Sequence, residues 1–246
     1  MRGLRLQTAI RLVYPPACLA CGGRVESDFG LCGSCWADTS FVAGAVCDAC
    51  GTPLPGGPDA AESAGLTCDE CLKIPRPWAR GRAALLYSGA GRKLVLGLKH
   101  GDRHDIARPA ATWMANAAAS LLQADTVIVP VPLHTLRLLR RRYNQSALLC
   151  AALGHLTGHT VAVDVLKRVQ RTPSLDGQSR DQRFATLAGA IRADPRRVHL
   201  VADHPVLLVD DVMTSGATLA AGTEALVAAG ATEVCVLALA RAARDT

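Results

Sequence analysis

The pattern of apolar positions changes near residue 80 and from there alternates between short runs and longer stretches. Continuous apolar runs of four to seven residues occur at 83–87, 126–131, 206–209 and 234–240, and runs of this length between polar or turn-forming residues are typical of buried strands. Segments 105–122, 143–156 and 216–229 have the length and the alanine and leucine content of helices. This alternation predicts an α/β fold with a parallel sheet flanked by helices.

The region before residue 80 has few apolar positions and many cysteines. Eight of the ten cysteines form four Cys-x-x-Cys pairs, namely Cys18/Cys21, Cys32/Cys35, Cys47/Cys50 and Cys68/Cys71. Two thiolates in one tight turn can bind a single ion, and two such turns complete the tetrahedral sulfur shell that Zn²⁺ prefers. Because so little apolar surface cannot form a large core, the metal would supply folding energy. The pattern therefore predicts two structural zinc ions.

Other uses of these cysteines are weaker interpretations. Disulfides require an oxidising compartment, and Arg11 interrupts the only apolar stretch that could serve as an export signal. A redox Cys-x-x-Cys normally occurs once and opens a helix. The zinc ligands could be sequential or interleaved along the chain. Gly22 and Gly51 each follow the second cysteine of a pair and suit a turn with positive φ, which favours two consecutive zinc ribbons.

Charge and composition divide the chain at the same point. The segment 73–77 contains two prolines and is typical of a stiff connector, so we expect a cysteine-rich domain at 1–80 and an α/β domain at 81–246. Residues 1–80 carry 7 basic and 8 acidic side chains, whereas residues 81–246 carry 20 and 13. Such a basic domain attracts polyanions such as nucleotides or nucleic acids.

No apolar run is long enough for a membrane span, and we expect a soluble cytoplasmic protein.

The residues after the 206–209 run form the candidate site, because ligands bind beyond the carboxyl ends of parallel strands. Asp210 and Asp211 follow Val209, and after them comes a run of small residues, Thr214, Ser215, Gly216, Ala217 and Thr218. Small residues at a helix start let backbone N–H groups surround a phosphate. Adjacent carboxylates can accept hydrogen bonds from a ribose diol. The simpler interpretation, a strand end followed by a helix cap, leaves two carboxylates without a charge partner. The combination predicts a ribose 5-phosphate site.

Several segments carry a resemblance to a known family. Val206–Thr218 resembles the phosphoribosyl pyrophosphate motif of type I phosphoribosyltransferases. The chain as a whole resembles the ComF family over nearly its full length, through Val-Pro-Val-Pro-Leu-His at 129–134, Tyr-Asn-Gln at 143–145, the lysine-bearing segment 96–101 and the segment 171–183. It departs from the family at Arg142, where glycine is usual, and at 173–180.

The resemblance implies a type I phosphoribosyltransferase fold behind an N-terminal double zinc ribbon, and roles for particular residues. Asp210 and Asp211 would be catalytic and hold the ribose, while the residues from Thr214 to Thr218 would hold the 5-phosphate. Mg²⁺ would bridge the pyrophosphate and the ribose hydroxyls. The remaining substrate-binding residues would be Val209 and, facing the pyrophosphate, Lys99, Val131, Pro132, Arg137 and Arg141.

The family is associated with natural competence, which adds a second hypothesis. The chain would then bind single-stranded DNA during DNA uptake and interact with a DNA-translocating helicase. Arginines at 137 and 140–142 would follow the phosphate backbone, and Tyr143 or Trp113 would stack on bases. A third hypothesis is a sensor that binds the ribose phosphate without turnover.

Overall fold

The architecture is described from a computed structural model for residues 15–55, 65–134, 138–139, 142–170, 180–187 and 189–242. The helices are α1 (Gly33–Ala37), α2 (Asp69–Lys73), α3 (Gly89–His100), α4 (Ala107–Ala118), α5 (Gln145–Thr157), α6 (Arg180–Leu187) and α7 (Ala217–Ala228). The strands are β1 (Gly81–Leu86), β2 (Val127–Pro130), β3 (Leu166–Arg168), β4 (Ile191–Ala193), β5 (Pro205–Met213) and β6 (Glu233–Arg241). Short 3₁₀ turns occupy His104–Ile106 and Val198–Leu200.

The main sheet has four parallel strands in the order β1-β6-β5-β2, and β3 and β4 form a separate antiparallel pair. The strands of the main sheet are apolar over most of their length because both faces of the sheet are covered. Along β5, Val206 and Leu208 pack into one core, whereas Leu207 and Val209 pack into the other. The predicted α/β class with a parallel sheet is therefore confirmed.

The helices divide between the two faces of the sheet. Leu94 of α3, Met114 of α4 and Leu149 of α5 are fully buried in one core. Leu219 and Leu226 of α7 are buried in the core on the opposite face. Among the described residues, no helix combines the length and the apolarity that a membrane crossing needs.

The strand β5 is longer than the apolar run that predicted it. The run ends at Val209, but β5 continues to Met213 because β6 extends alongside it, pairing Asp210 with Ala238 and Met213 with Arg241. Both aspartates therefore belong to the strand instead of following it, and the sheet hydrogen bonds fix their backbone.

The cysteine-rich region packs directly on this sheet. Cys47, Cys50 and Cys71 share a buried core with strand residues. The Trp78 ring nitrogen donates to the carbonyl oxygen of Ala49 at 2.6 Å, and Gly81 of β1 donates its N–H to Asp48 at 2.8 Å. The domain boundary near residue 80 stays a prediction, and contacts cross it at several points.

Candidate functional site

The turn between β5 and α7, residues 214–216, has the backbone geometry of an anion site. Gly216 has φ +82° and precedes the first helical residue, Ala217. Its carbonyl accepts the N–H of Ala220 at 2.8 Å, which starts the helix, and the first N–H groups of a helix have no acceptor within it. Thr214 is exposed, Ser215 is buried and Thr218 is half-buried, so the turn presents both backbone and hydroxyl donors.

Two arginines hold the carbonyl oxygens at this turn. Nη1 of Arg241 donates to Met213 at 3.1 Å and to Thr214 at 2.6 Å, and Nη1 of Arg76 donates to Ser215 at 2.7 Å. In a planar trans peptide the C=O and the following N–H point in opposite directions. The N–H groups of residues 214–216 therefore point away from the arginines, as a backbone anion site requires.

The two carboxylates of β5 contact two different helices on the same face of the sheet. Oδ1 of Asp211 lies 3.2 Å from Nζ of Lys99, near the end of α3. Oδ1 of Asp210 accepts the hydroxyl of Ser146 at 3.0 Å and the N–H of Asp211 at 2.9 Å. Burial, followed by the negative charge of Asp211, raises the pKa of Asp210 to about 7, against the opposing effects of Lys99 and these hydrogen bonds. Asp210 therefore titrates close to neutral pH.

The segment after β2 lies beside these carboxylates. Val131 donates its N–H to the carbonyl of Val209 at 2.9 Å, and its own carbonyl accepts Nδ2 of Asn144 at 2.9 Å. Asn144 also caps α5, because its Oδ1 accepts the N–H of Ser146 at 3.0 Å. Asn144 thus holds the segment that carries Val131 and Pro132, both buried, against the start of α5.

Three residues between β2 and α5 in the sequence carry predicted roles, Arg137 and Arg141 in pyrophosphate binding and Tyr143 in base stacking. Arg137 and Arg141 lie outside the described residues, so their roles stay predictions. Tyr143 is described: its hydroxyl donates to the carbonyl of Leu98 at 2.7 Å, and its ring packs edge-on against His104 with centroids 4.2 Å apart. Tyr143 therefore joins the start of α5 to the end of α3, next to Lys99.

Arg142 occupies a position that suits glycine. Its φ is +66°, in the left-handed region that costs a residue with a side chain about 1–2 kcal/mol. Its N–H donates to the carbonyl of Leu138, which closes the turn. The glycine usual at this position in the resembled family would adopt the same backbone without strain.

The eight N-terminal cysteines form two clusters in sequential order. The first cluster is Cys18, Cys21, Cys32 and Cys35, and the second cluster is Cys47, Cys50, Cys68 and Cys71. Within each cluster the sulfur atoms lie within 4.8 Å of one another, and Cys21–Cys32 and Cys50–Cys68 are 3.7 Å apart. Four sulfurs at about 2.3 Å from a tetrahedral zinc are about 3.8 Å apart. The side chains therefore fit two structural zinc ions, bound in sequential order.

The backbone around each cluster fits the same interpretation. Cys32 donates its N–H to Sγ of Cys18, and Cys68 donates to Sγ of Cys47, each at 3.3 Å. Hydrogen bonds of this kind stabilise thiolates. Gly22 and Gly51 have φ of +75° and +68°, as predicted for the turns after the second cysteine of a pair. The remaining cysteines, Cys150 and Cys235, are buried within the α/β region.

Three side chains that shape the candidate site do not stand out in the sequence. Ser146 follows the quoted Tyr-Asn-Gln segment, Arg76 lies in the segment interpreted only as a stiff connector, and Arg241 follows the last apolar run. Arg241 could be singled out, because it is the polar residue that directly follows the apolar run 234–240. Nothing local in the sequence indicates the partners of Arg76 or Ser146.

Comparisons with known families agree with this arrangement of sites. Residues 9–72 match the family described as "Double zinc ribbon domain", and residues 105–246 match "Phosphoribosyl transferase domain". The fold and its two kinds of site thus define a class of protein, in which a double zinc ribbon is joined to a phosphoribosyltransferase domain.

Curated relatives extend along almost the whole chain. "DNA utilization protein YhgH" of Salmonella typhimurium is 32% identical over 239 residues, covering 94% of this chain and 99% of the relative. The Escherichia coli K12 protein of the same name is 29% identical over 236 residues, with the same coverage of each chain. "Competence protein F" of Haemophilus influenzae is 28% identical over 231 residues, covering 92% and 96%. The chain belongs to the ComF family.

Proposed function

We propose that this protein binds phosphoribosyl pyrophosphate together with Mg²⁺ and transfers the phosphoribosyl group to an acceptor. The observation that carries the proposal is the convergence of three features at one edge of the sheet. These are the N–H face of the 214–216 turn, the adjacent carboxylates of Asp210 and Asp211, and the ammonium group of Lys99, 3.2 Å from Asp211. Membership of a family with a phosphoribosyl transferase domain supports the same conclusion.

Each part of the site matches one part of the substrate. The N–H groups of the turn and the start of α7 would bind the 5-phosphate, where the helix dipole adds to the attraction. Asp210 and Asp211 would accept hydrogen bonds from the ribose hydroxyls. Lys99 would exchange its contact with Asp211 for the pyrophosphate oxygens, beside the segment that carries Val131 and Pro132.

The chemistry that follows is a displacement at C1′ of the ribose. The bond between C1′ and the pyrophosphate oxygen breaks, the pyrophosphate leaves with the electron pair, and the acceptor forms the new bond to C1′. Positive charge develops on the sugar ring, and Asp210 and Asp211 stabilise it electrostatically. Mg²⁺ is usually bound by one or two carboxylates together with the phosphate oxygens of a substrate. Asp210 and Asp211 would supply such carboxylates, and the ion would neutralise part of the negative charge of the leaving pyrophosphate.

Calorimetric titration of the zinc-loaded protein with ribose 5-phosphate, and with phosphoribosyl pyrophosphate and Mg²⁺, tests the binding step. Asp210→Asn and Asp211→Asn should each weaken binding about tenfold, which is about 1.4 kcal/mol. Asp125→Asn is the matched control, because the Asp125 side chain is 61% exposed and lies outside the site. If wild-type protein binds neither ligand, or if all three variants bind alike, the assignment is wrong.

Release of pyrophosphate during incubation with a panel of purine and pyrimidine bases tests the transfer step. Release that depends on one base identifies the acceptor class. Binding without release for any acceptor would contradict the transferase proposal and favour the ligand-sensor hypothesis.

A second function, binding of single-stranded DNA, has its own support. Relatives carry the names "DNA utilization protein" and "Competence protein F", and residues 81–246 are basic. Trp36 is 54% exposed and begins an aromatic row. Its ring centroid lies 4.6 Å from that of Phe41, and the Phe41 centroid lies 5.5 Å from that of Trp113. Stacking on exposed rings is how proteins bind single strands without sequence preference.

Salt-dependent binding of a labelled oligonucleotide tests this second function. We expect affinity to fall steeply with salt, and Trp36→Ala to weaken binding about tenfold, as loss of one stacked base predicts. Val227→Ala, at another exposed apolar position, is the control. Absence of binding at low salt would exclude this function and, with it, the basis for the proposed helicase partner. Cysteines that bind a metal instead of forming disulfides are typical of a reducing compartment, which supports the expected cytoplasmic location.

A further inference from the structure

Arg76 bridges the second cysteine cluster and the proposed phosphate-binding turn. Its side chain is only 2% exposed. Nε donates to Sγ of Cys71 at 3.3 Å, while Nη1 donates to the carbonyl of Ser215 at 2.7 Å, across 139 positions of the sequence. The guanidinium also lies over the ring of Trp78, 5.5 Å from the centroid. A single planar group is thus fixed between a metal-ligating sulfur and the backbone of the turn.

A second arginine forms a parallel connection. Arg241 has a side chain that is 3% exposed, and its Nη1 donates to the carbonyls of Met213 and Thr214. Its Nη2 lies 3.1 Å from Oε2 of Glu70, the residue immediately before Cys71. Both cations that hold the carbonyls at the turn are therefore held in place by α2, the helix that carries one of the zinc ligands.

From these contacts we infer that Arg76, assisted by Arg241, is a positioning residue that couples zinc binding at the second cluster to anion binding at the 214–216 turn. The inference rests on the proposed function for its ligand. Four thiolates and one Zn²⁺ carry two net negative charges, and this charge holds the guanidinium of Arg76 beside Cys71. The same guanidinium holds the carbonyl of Ser215, so that the N–H groups of the turn face outward.

Such coupling must act in both directions, because a binding linkage is reciprocal. Zinc at the second cluster should increase the affinity of the turn for a phosphate, and a bound phosphate should retard zinc loss at the second cluster. The first cluster makes none of these contacts with the turn among the residues that the structure describes, so it serves as an internal control.

Timed alkylation of the zinc-loaded full chain by N-ethylmaleimide, with and without ribose 5-phosphate, measures this coupling for each cluster separately. Peptide mass spectrometry distinguishes the cysteines of the two clusters. We expect the ligand to slow alkylation of the second cluster at least threefold and to leave the first unchanged. In Arg76→Lys the ligand effect should disappear and affinity should fall about tenfold, because one ammonium group cannot reach both partners. Arg80 lies just beyond the same connector, but its guanidinium donates to the carbonyl of Ser120. Arg80→Lys should therefore behave like wild type.

Hydrogen exchange of the ligand-free protein separates this inference from the proposed function. Arg76→Lys, but not Arg80→Lys, should accelerate exchange in the peptide that covers residues 211–218. If ribose 5-phosphate does not bind to wild-type protein, the proposed function fails while this measurement still tests the positioning role. If the ligand binds but protects both clusters equally, or if exchange in Arg76→Lys is unchanged, the coupling is refuted.

Discussion

Replacement of Gly216 by alanine is the sharpest test of the geometry of the 214–216 turn. The backbone φ there is +82°, and a Cβ would lie 2.9 Å from Cη2 of Trp78 and 3.0 Å from Nη1 of Arg76. Neither neighbour can move freely. The Trp78 ring nitrogen is hydrogen-bonded to the carbonyl of Ala49. The Arg76 guanidinium is hydrogen-bonded to Cys71 and to the carbonyl of Ser215 in the turn.

The magnitude follows from two separate costs. A side chain in the left-handed region costs about 1–2 kcal/mol, and forcing an additional methyl group into a packed site costs about 1–3 kcal/mol. Gly216→Ala should therefore lower the free energy of unfolding by about 2–5 kcal/mol. Gly158→Ala is the matched control, because Gly158 has φ +77° and a Cβ there would meet no other atom within 4 Å. Gly158→Ala should therefore lose only the about 1–2 kcal/mol that the left-handed backbone costs.

Urea unfolding of the zinc-loaded variants, followed by circular dichroism, measures the difference, and calorimetry with ribose 5-phosphate measures the site. Gly216→Ala should be the less stable variant and should bind the ligand at least tenfold more weakly than Gly158→Ala. Equal stability of the two variants, together with equal binding, would refute this geometry of the 214–216 turn.

Three further predictions concern other positions. Arg142→Gly should raise the free energy of unfolding by about 1 kcal/mol, because φ is +66° there, and an unchanged or lower urea midpoint would contradict this. Burial and the charge of Asp211 raise the pKa of Asp210 to about 7, so the stability that its protonated form provides is lost as pH rises from about 4 to about 7. Asp210→Asn should therefore gain stability relative to wild type between about pH 4 and about pH 7, by up to about 4 kcal/mol, and a difference independent of pH would contradict the raised pKa of Asp210. Lys99→Met should weaken binding of phosphoribosyl pyrophosphate about tenfold more than binding of ribose 5-phosphate in calorimetry, since only the former carries the pyrophosphate charge; equal losses would remove Lys99 from the pyrophosphate site.

The main sheet could be predicted from the sequence because its strands are buried on both faces. Each of its four strands contains or overlaps one of the predicted apolar runs. The pair of β3 and β4 left no comparable signal, since each strand has three residues and only one of the three is buried. The apolar run 206–209 covers only part of β5, because the last residues of the strand are held by β6 and not by their own apolar character.

The candidate site was predictable only where its residues are adjacent in sequence. Asp210, Asp211 and the small residues after them form one local pattern, and the cysteine pairs form another. The hydrogen bond from Ser146 to Asp210 spans 64 positions, and the bond from Arg76 to Ser215 spans 139. Such contacts depend on how the sheet and the zinc ribbon pack together, which no local periodicity encodes.

The composition of the turn explains why its supporting groups must come from elsewhere. A backbone anion site needs small residues, so that the chain can approach the phosphate, but small residues lack the cationic donors that would hold their carbonyl oxygens in place. One donor, Arg241, comes from the end of the neighbouring strand β6. The other, Arg76, comes from the connector, where the second cysteine cluster fixes its position. The predicted division near residue 80 therefore separates two kinds of sequence, whereas the proposed ribose-phosphate site depends on both.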